Sequence, residues 1–117
     1  MRATYAMADG ACRPPGGEFT AEELRHALRC LADEDDELAI ELGAGAVLRL
    51  VMTASGTLRL ALIDAGAARA ATTEINMPMA EIALDAAIAR APVRSALAPF
   101  FFLEWRCEPV EGTAAER

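Results

Sequence analysis

Between residues 37 and 63 the chain alternates apolar and polar positions with a period of two, which is the pattern of half-buried β-strands. Three runs share this pattern, and two short segments, Gly43-Ala44-Gly45 and Ala54-Ser55-Gly56, separate them. Each separator has glycine in its third place, where a three-residue hairpin loop needs left-handed backbone. The sequence therefore predicts a three-stranded antiparallel meander with turns at Gly45 and Gly56. Its apolar positions are Leu38, Ile40 and Leu42, then Leu48, Leu50 and Met52, then Leu58, Leu60 and Leu62.

Two three-residue loops also fix the register of the three strands. In that register the large apolar residues of the meander share one face. The central arginine of each Leu-Arg-Leu triplet, Arg49 or Arg59, then points to the other face. This agreement across two turns is the strongest evidence in the sequence for the sheet. The opposite pairs are predicted to be Leu38–Leu50, Ile40–Leu48, Leu50–Leu60, Leu48–Leu62, Thr53–Thr57 and Leu42–Ala46.

One helix is predicted before the meander and another after it. Thr20 and Glu23 have the spacing of a capping box, which begins a helix that should end near Ala32. Pro78 suits the first turn of a second helix, which covers residues 79–91. Both helices are expected on the leucine face of the sheet, because that face needs an apolar cover.

Two further segments have strand character. Residues 70–75 (AATTEI) fit a short strand or an extended connection, and residues 100–107 (FFFLEWRC) predict a final strand. The order is therefore α-β-β-β-(β?)-α-β. It indicates an α+β fold, in which an antiparallel meander of three to five strands carries helices on one face. We expect a single domain over residues 19–108, a flexible arm over 1–18 and a tail over 109–117.

Charge and composition narrow the classes of function. All 11 basic residues are arginine, and the net charge is -7. This acidic balance argues against binding nucleic acid, because such binding depends on an excess of cationic side chains. No apolar run is long enough to span a bilayer, so no membrane partner is expected. The first 17 residues contain no continuous apolar run of a secretory signal. The 3 cysteines are therefore expected to be reduced thiols of a cytoplasmic protein.

The outward positions of the meander are the best candidate for a working surface. They combine charged residues with β-branched apolar ones, whereas a wet sheet face needs no apolar side chains. A solvated face is the simpler interpretation, and an association face is the alternative. We refer to the residues concerned as the outer-face patch: Glu37, Glu41, Val47, Arg49, Val51, Arg59 and Ile63.

Sites for chemistry have weaker signals. His26 and Cys30 are four residues apart on the first predicted helix, and together with Trp105 they suggest an alternative pocket between the helices and the sheet. A buried, inert thiol is the simpler interpretation of Cys30. The acidic run Asp33–Glu37 lacks the order of a calcium loop, so we expect a solvated loop there. No cysteine–histidine spacing typical of zinc and no phosphate-binding glycine loop occurs, so no metal, cofactor or catalytic residue is predicted.

These observations favour a small acidic adaptor or accessory domain that binds a protein partner, or forms a homodimer, through the outer-face patch. The alternative is a ligand-binding or catalytic domain with its site near His26. A large cavity with convergent polar groups would favour that alternative, whereas a filled core beside an exposed apolar sheet face would favour association.

Overall fold

A computed structural model of the chain describes residues 1–6, 17–64 and 66–109. It is an α+β structure with one six-stranded antiparallel sheet, whose strands follow one another in space as they do along the chain. No helix in these described ranges is long and apolar enough to cross a membrane. The elements are β1 (Ala3–Ala6), α1 (Ala21–Cys30), β2 (Glu37–Gly43), β3 (Ala46–Met52), β4 (Leu58–Asp64), β5 (Arg69–Ile75), α2 (Met77–Ile88), α3 (Val93–Ala96) and β6 (Arg106–Pro109).

The predicted meander is confirmed over β2, β3 and β4. The turn after β3 is the expected one: the Thr53 amide donates to the Thr57 carbonyl oxygen at 2.9 Å, and Gly56 has a φ of 86°. All four leucine and isoleucine pairs are confirmed, namely Leu38–Leu50, Ile40–Leu48, Leu50–Leu60 and Leu48–Leu62.

The turn between β2 and β3 differs from the prediction. Gly43, not Leu42, lies opposite Ala46, and the register shifts between Glu41 and Gly43. The loop therefore has two residues, Ala44 and Gly45, and both have positive φ, 54° and 79°. Consecutive positive φ values are typical of the two-residue turns that match the twist of paired strands. The sequence prediction was wrong here because a glycine on each side of Ala44 permits either loop length.

The helices cover the leucine face and complete the core. The predicted capping box begins α1, since Thr20 and Glu23 each accept the other's backbone N–H at 3.1 and 2.8 Å. The Asn76 side chain caps α2 by accepting the Met79 amide at 3.0 Å. Apolar residues of all three helices belong to the same buried cluster as the inward leucines of the sheet, among them Leu24, Leu28, Ala80, Ala83, Leu84 and Val93.

The two edges of the sheet are where sequence and structure differ most. Ala3–Ala6, within the predicted arm, form β1, and residues 7–16 of that arm lie outside the described residues. The open segment 70–75 is a strand, β5. The final strand was expected from Phe100 but begins only at Arg106, because residues 100–105 form turns and irregular chain. Of the predicted tail, only Pro109 is described.

The acidic run is not a uniformly solvated loop. Asp33, Glu34 and Asp35 are exposed as expected, but the side chain of Asp36 is 0% exposed. Its Oδ2 accepts the backbone N–H groups of Ala32 and Asp33 at 2.9 and 2.8 Å. The Asp36 carboxylate therefore provides a hydrogen-bond acceptor for two backbone N–H groups of the chain between α1 and β2. Among the described residues, no group of three or more side chains could hold a metal ion.

Candidate association face and cavity

The outer-face patch lies on three adjacent strands, as the period of two predicts. Its seven residues alternate with the buried residues of β2, β3 and β4. Six of them form two rows across the strands, and Arg49 lies between these rows, opposite Ala39 and Ala61. In one row Val51 lies between Glu37 and Arg59, and in the other Val47 lies between Glu41 and Ile63. Each valine therefore has a long charged neighbour whose aliphatic stem can cover it.

Charges in the patch are partly paired within the chain. Arg49 donates to Glu37 across β2 and β3, with Nη2 and Oε1 2.9 Å apart. Glu41 lies 3.5 Å from the Nε of Arg2, next to β1. Arg59 is exposed, and it forms no ion pair with any residue in the described ranges. Exposed pairs of this kind contribute only about 0–1 kcal/mol each, so they orient side chains more than they stabilise the fold.

The apolar part of the patch is partly exposed to solvent. Val47, Val51 and Ile63 are all half-buried, although they point away from the core. The helices pack on the opposite, leucine face, so no described helix lies over these residues. Exposure of their remaining apolar surface to water is unfavourable, and a second, complementary surface could bury it.

Of the three residues of the alternative pocket, the structure brings His26 and Cys30 together. His26 and Cys30 are neighbours on α1, with Nε2 and Sγ 3.5 Å apart, and the histidine is exposed. Trp105 precedes β6, at the edge of the sheet opposite β1, and the guanidinium carbon of Arg94 lies 4.7 Å from its ring centroid. Neither of the two cavities described next is lined by His26, Cys30 or Trp105.

The smaller cavity is a groove of about 90 Å³ between α1 and α2. Arg25 Nε lies 3.2 Å from Asp85 Oδ1 across it, and Arg29 Nη2 lies 3.9 Å from Glu81 Oε1. Leu28 and Leu84 complete its lining. Because its charges are already paired, we interpret the groove as part of the contact between the helices.

The larger cavity was not predicted from the sequence. It has a volume of about 340 Å³ and lies between the end of β5 and the segment from Phe102 to Glu104, which precedes β6. Beside it Phe101 and Phe102 are 92% and 63% exposed, although the predicted strand would have used them in pairing. We refer to this hollow as the β5–β6 cavity. It is lined by Arg59, Thr72, Thr73, Glu74, Phe102, Leu103, Glu104, Arg106 and Glu108.

No signal in the sequence marks this cavity, because it depends on two segments that are about thirty residues apart. The alternation of Phe100–Cys107 is compatible with a strand, and only the tertiary structure shows where pairing stops. Comparison with models of known protein families gives no match to this chain, and neither the curated proteins nor the solved structures contain one. The function is therefore inferred from the surfaces themselves.

Proposed function

We propose that this chain is a protein-association domain of the adaptor or accessory type, and that the outer-face patch binds a second copy of the chain. The observation that carries the proposal is the combination, on the face that no described helix covers, of half-buried Val47, Val51 and Ile63 with two arginines and two glutamates. Interfaces favour this combination of apolar residues and arginine.

Charge favours a second copy as the occupant. The whole chain has a net charge of -7, so two copies repel each other in most orientations. The patch is different, because its two arginines, Arg49 and Arg59, balance its two glutamates, Glu37 and Glu41. In a contact with two-fold symmetry each copy presents the same surface, so each arginine can face a carboxylate of the other copy. Arg59, which has no ion pair within the described chain, would gain a partner.

The size of the face predicts weak association. Even the whole outer face, six strands about 4.8 Å apart with about five residues of 3.3 Å each, has a flat area of only roughly 400–500 Å² per copy. The patch itself lies on three of those strands. Stable complexes typically bury about 800 Å² per partner, so this face is at the low end. We therefore expect a reversible dimer with a Kd in the micromolar range or weaker.

Sedimentation velocity over a concentration series tests the proposal. The variant Val51→Glu with Arg49→Glu places carboxylates at the centre of the patch and should shift the protein to monomer. The change lowers the net charge by three, from -7 to -10, which by itself increases repulsion between copies. The matched control is Ile82→Glu with Arg90→Glu, which makes the same change in charge at two exposed residues outside the patch.

Dimer loss in the patch variant but not in the control supports the proposal, provided that circular dichroism shows unchanged helix and strand content. Equal loss in both variants would show that only total charge matters. A wild-type chain that remains monomeric up to about 1 mM would refute binding to a second copy.

A further inference from the structure

The β5–β6 cavity lies between the end of β5 and the chain before β6. Its wall on one side is formed by residues 72–74, and on the other by residues 102–104. The strands pair only from Arg69–Pro109 to Thr72–Arg106, so the sheet divides just beyond Thr72. The volume of about 340 Å³ is within the range of small-ligand sites, which are commonly about 300–1,000 Å³.

The hydroxyl group of a largely buried residue, Thr72, forms part of the lining. Thr72 points to the outer face, opposite Arg106 on β6, and is only 9% exposed. No hydrogen bond to its hydroxyl group occurs within the described part of the chain, and no deeply buried side-chain oxygen there lacks a partner. The hydroxyl is therefore accessible from the cavity, where it can donate to a ligand and accept from it.

Charged groups of both signs line the cavity without pairing. Of the five charged residues that line the hollow, Arg59, Arg106, Glu104 and Glu108 form no ion pair of 4.0 Å or less within the described ranges. The fifth, Glu74, lies opposite Arg59 on β5 and accepts a hydrogen bond from the Thr57 hydroxyl. Elsewhere on the surface, arginine and carboxylate do meet, as Arg49 and Glu37 do at 2.9 Å. Opposite charges that remain apart around a hollow can each be satisfied by a ligand that carries both.

The backbone of β5 contributes a further donor and acceptor. Just after β3, the Thr53 amide donates to the carbonyl oxygen of Thr57, which directly precedes β4. Along an antiparallel ladder, successive residues direct their N–H and C=O groups to opposite sides. The backbone groups of Leu58, Leu60 and Leu62 therefore point towards β5. The backbone groups of Thr72 and Glu74 then point towards β6. Thr72 has its partner strand there, but Glu74 lies beyond the last pair, and no backbone bond joins it to the described chain 103–105. An amide group in the cavity could pair with Glu74 as a strand residue would.

We infer that the β5–β6 cavity binds a small zwitterion of the dipeptide class. Arg59 and Arg106, with the Thr72 hydroxyl, bind its carboxylate. Glu104 and Glu108 bind its ammonium group, and the Glu74 backbone pairs with its amide. This inference does not rest on the proposed association, and Arg59 is the one residue that belongs to both the outer-face patch and the lining of the cavity.

Three dipeptides of the same size test the inference: alanyl-alanine, its N-acetyl derivative, which lacks the ammonium group, and its amide, which lacks the carboxylate. Binding is measured by isothermal titration calorimetry at neutral pH, and also by the emission of Trp105, the only tryptophan, which lies between two lining residues. Alanyl-alanine should bind with a millimolar or tighter Kd, and each blocked peptide at least about tenfold more weakly.

Variants assign each charge to its group. Arg106→Gln should abolish the preference for alanyl-alanine over its amide, while the preference over the acetyl peptide remains. The double variant Glu104→Gln, Glu108→Gln should do the reverse. Arg90→Gln and Glu34→Gln change exposed charges outside the cavity and should change neither preference. All the substituted residues lie at the surface or edge, and unchanged thermal unfolding confirms the fold.

Two results would overturn the inference. One is the absence of saturable binding of alanyl-alanine up to about 10 mM. The other is binding that is equal for the three peptides, or unchanged in the Arg106 and glutamate variants. Because sedimentation of the Arg49 and Val51 variants is a separate measurement, failure here leaves the association proposal standing, and the converse also holds.

Discussion

Replacing Asp36 by alanine should destabilise the fold more than any other change in the acidic run. The substitution removes the acceptor of two backbone hydrogen bonds, 2.9 and 2.8 Å long, from a side chain that is 0% exposed. A hydrogen bond to a charged group contributes about 1.5–3 kcal/mol. Ala32 and Asp33 are exposed residues, so water can partly replace the lost acceptor and the lower value applies. Two bonds then give a loss of about 3 kcal/mol.

Thermal and urea unfolding measure this loss. For a chain of this length about 3 kcal/mol corresponds to a decrease in Tm of roughly 12 °C. Asp36→Asn retains an oxygen that can accept both amides, so its loss should be smaller. Glu34→Ala, in the same run but exposed, should stay within about 0.5 kcal/mol of the wild type. If Asp36→Ala unfolds like Glu34→Ala, the two hydrogen bonds do not stabilise the chain between α1 and β2, and the reasoning is wrong.

Two further changes test the turn after β3 and the chain before β6. Gly56→Val should lower the free energy of unfolding by about 1–3 kcal/mol, because Gly56 has a φ of 86° and a β-branched residue resists that conformation; an unchanged urea midpoint would contradict this, and Ala54→Val in the same turn is the control. Arg94→Gln removes the cation that lies 4.7 Å from the Trp105 ring, so it should change the tryptophan emission and lower stability by about 0.5–1 kcal/mol. An emission spectrum and a urea midpoint both identical to those of the wild type would refute a contribution from this contact.

The meander could be predicted from the sequence because its evidence is local. Each inward leucine lies two residues from the next, and the turn at Gly56 joins strands that pair directly. The outward position of Arg49, Val51 and the rest of the patch follows from the same alternation. The capping box of Thr20 and Glu23 is likewise a signal within four residues, and the structure contains it.

The missed features depend on contacts between distant residues. Ala3–Ala6 pair with β2 across α1, and four residues with two inward positions give too short a pattern to identify a strand. The triple phenylalanine at 100–102 favours a strand by composition, yet the chain turns there and pairs only from Arg106. The β5–β6 cavity results from that turn, which is why no local pattern reveals it.

The short edge strands have a consequence for aggregation. β1 and β6 have four residues each, while the four strands between them have seven. Unpaired edges of long apolar strands can recruit further strands from other molecules, and short edges with charged residues or proline hinder this. β6 contains charged residues, Arg106 and Glu108, and ends at Pro109, which has no backbone N–H. β1 has neither charged residues nor proline, but it covers the Glu37–Ile40 segment of the longer strand β2 by pairing with it. Loss of the first six residues would expose a seven-residue edge, and we expect such a chain to form intermolecular β-structure.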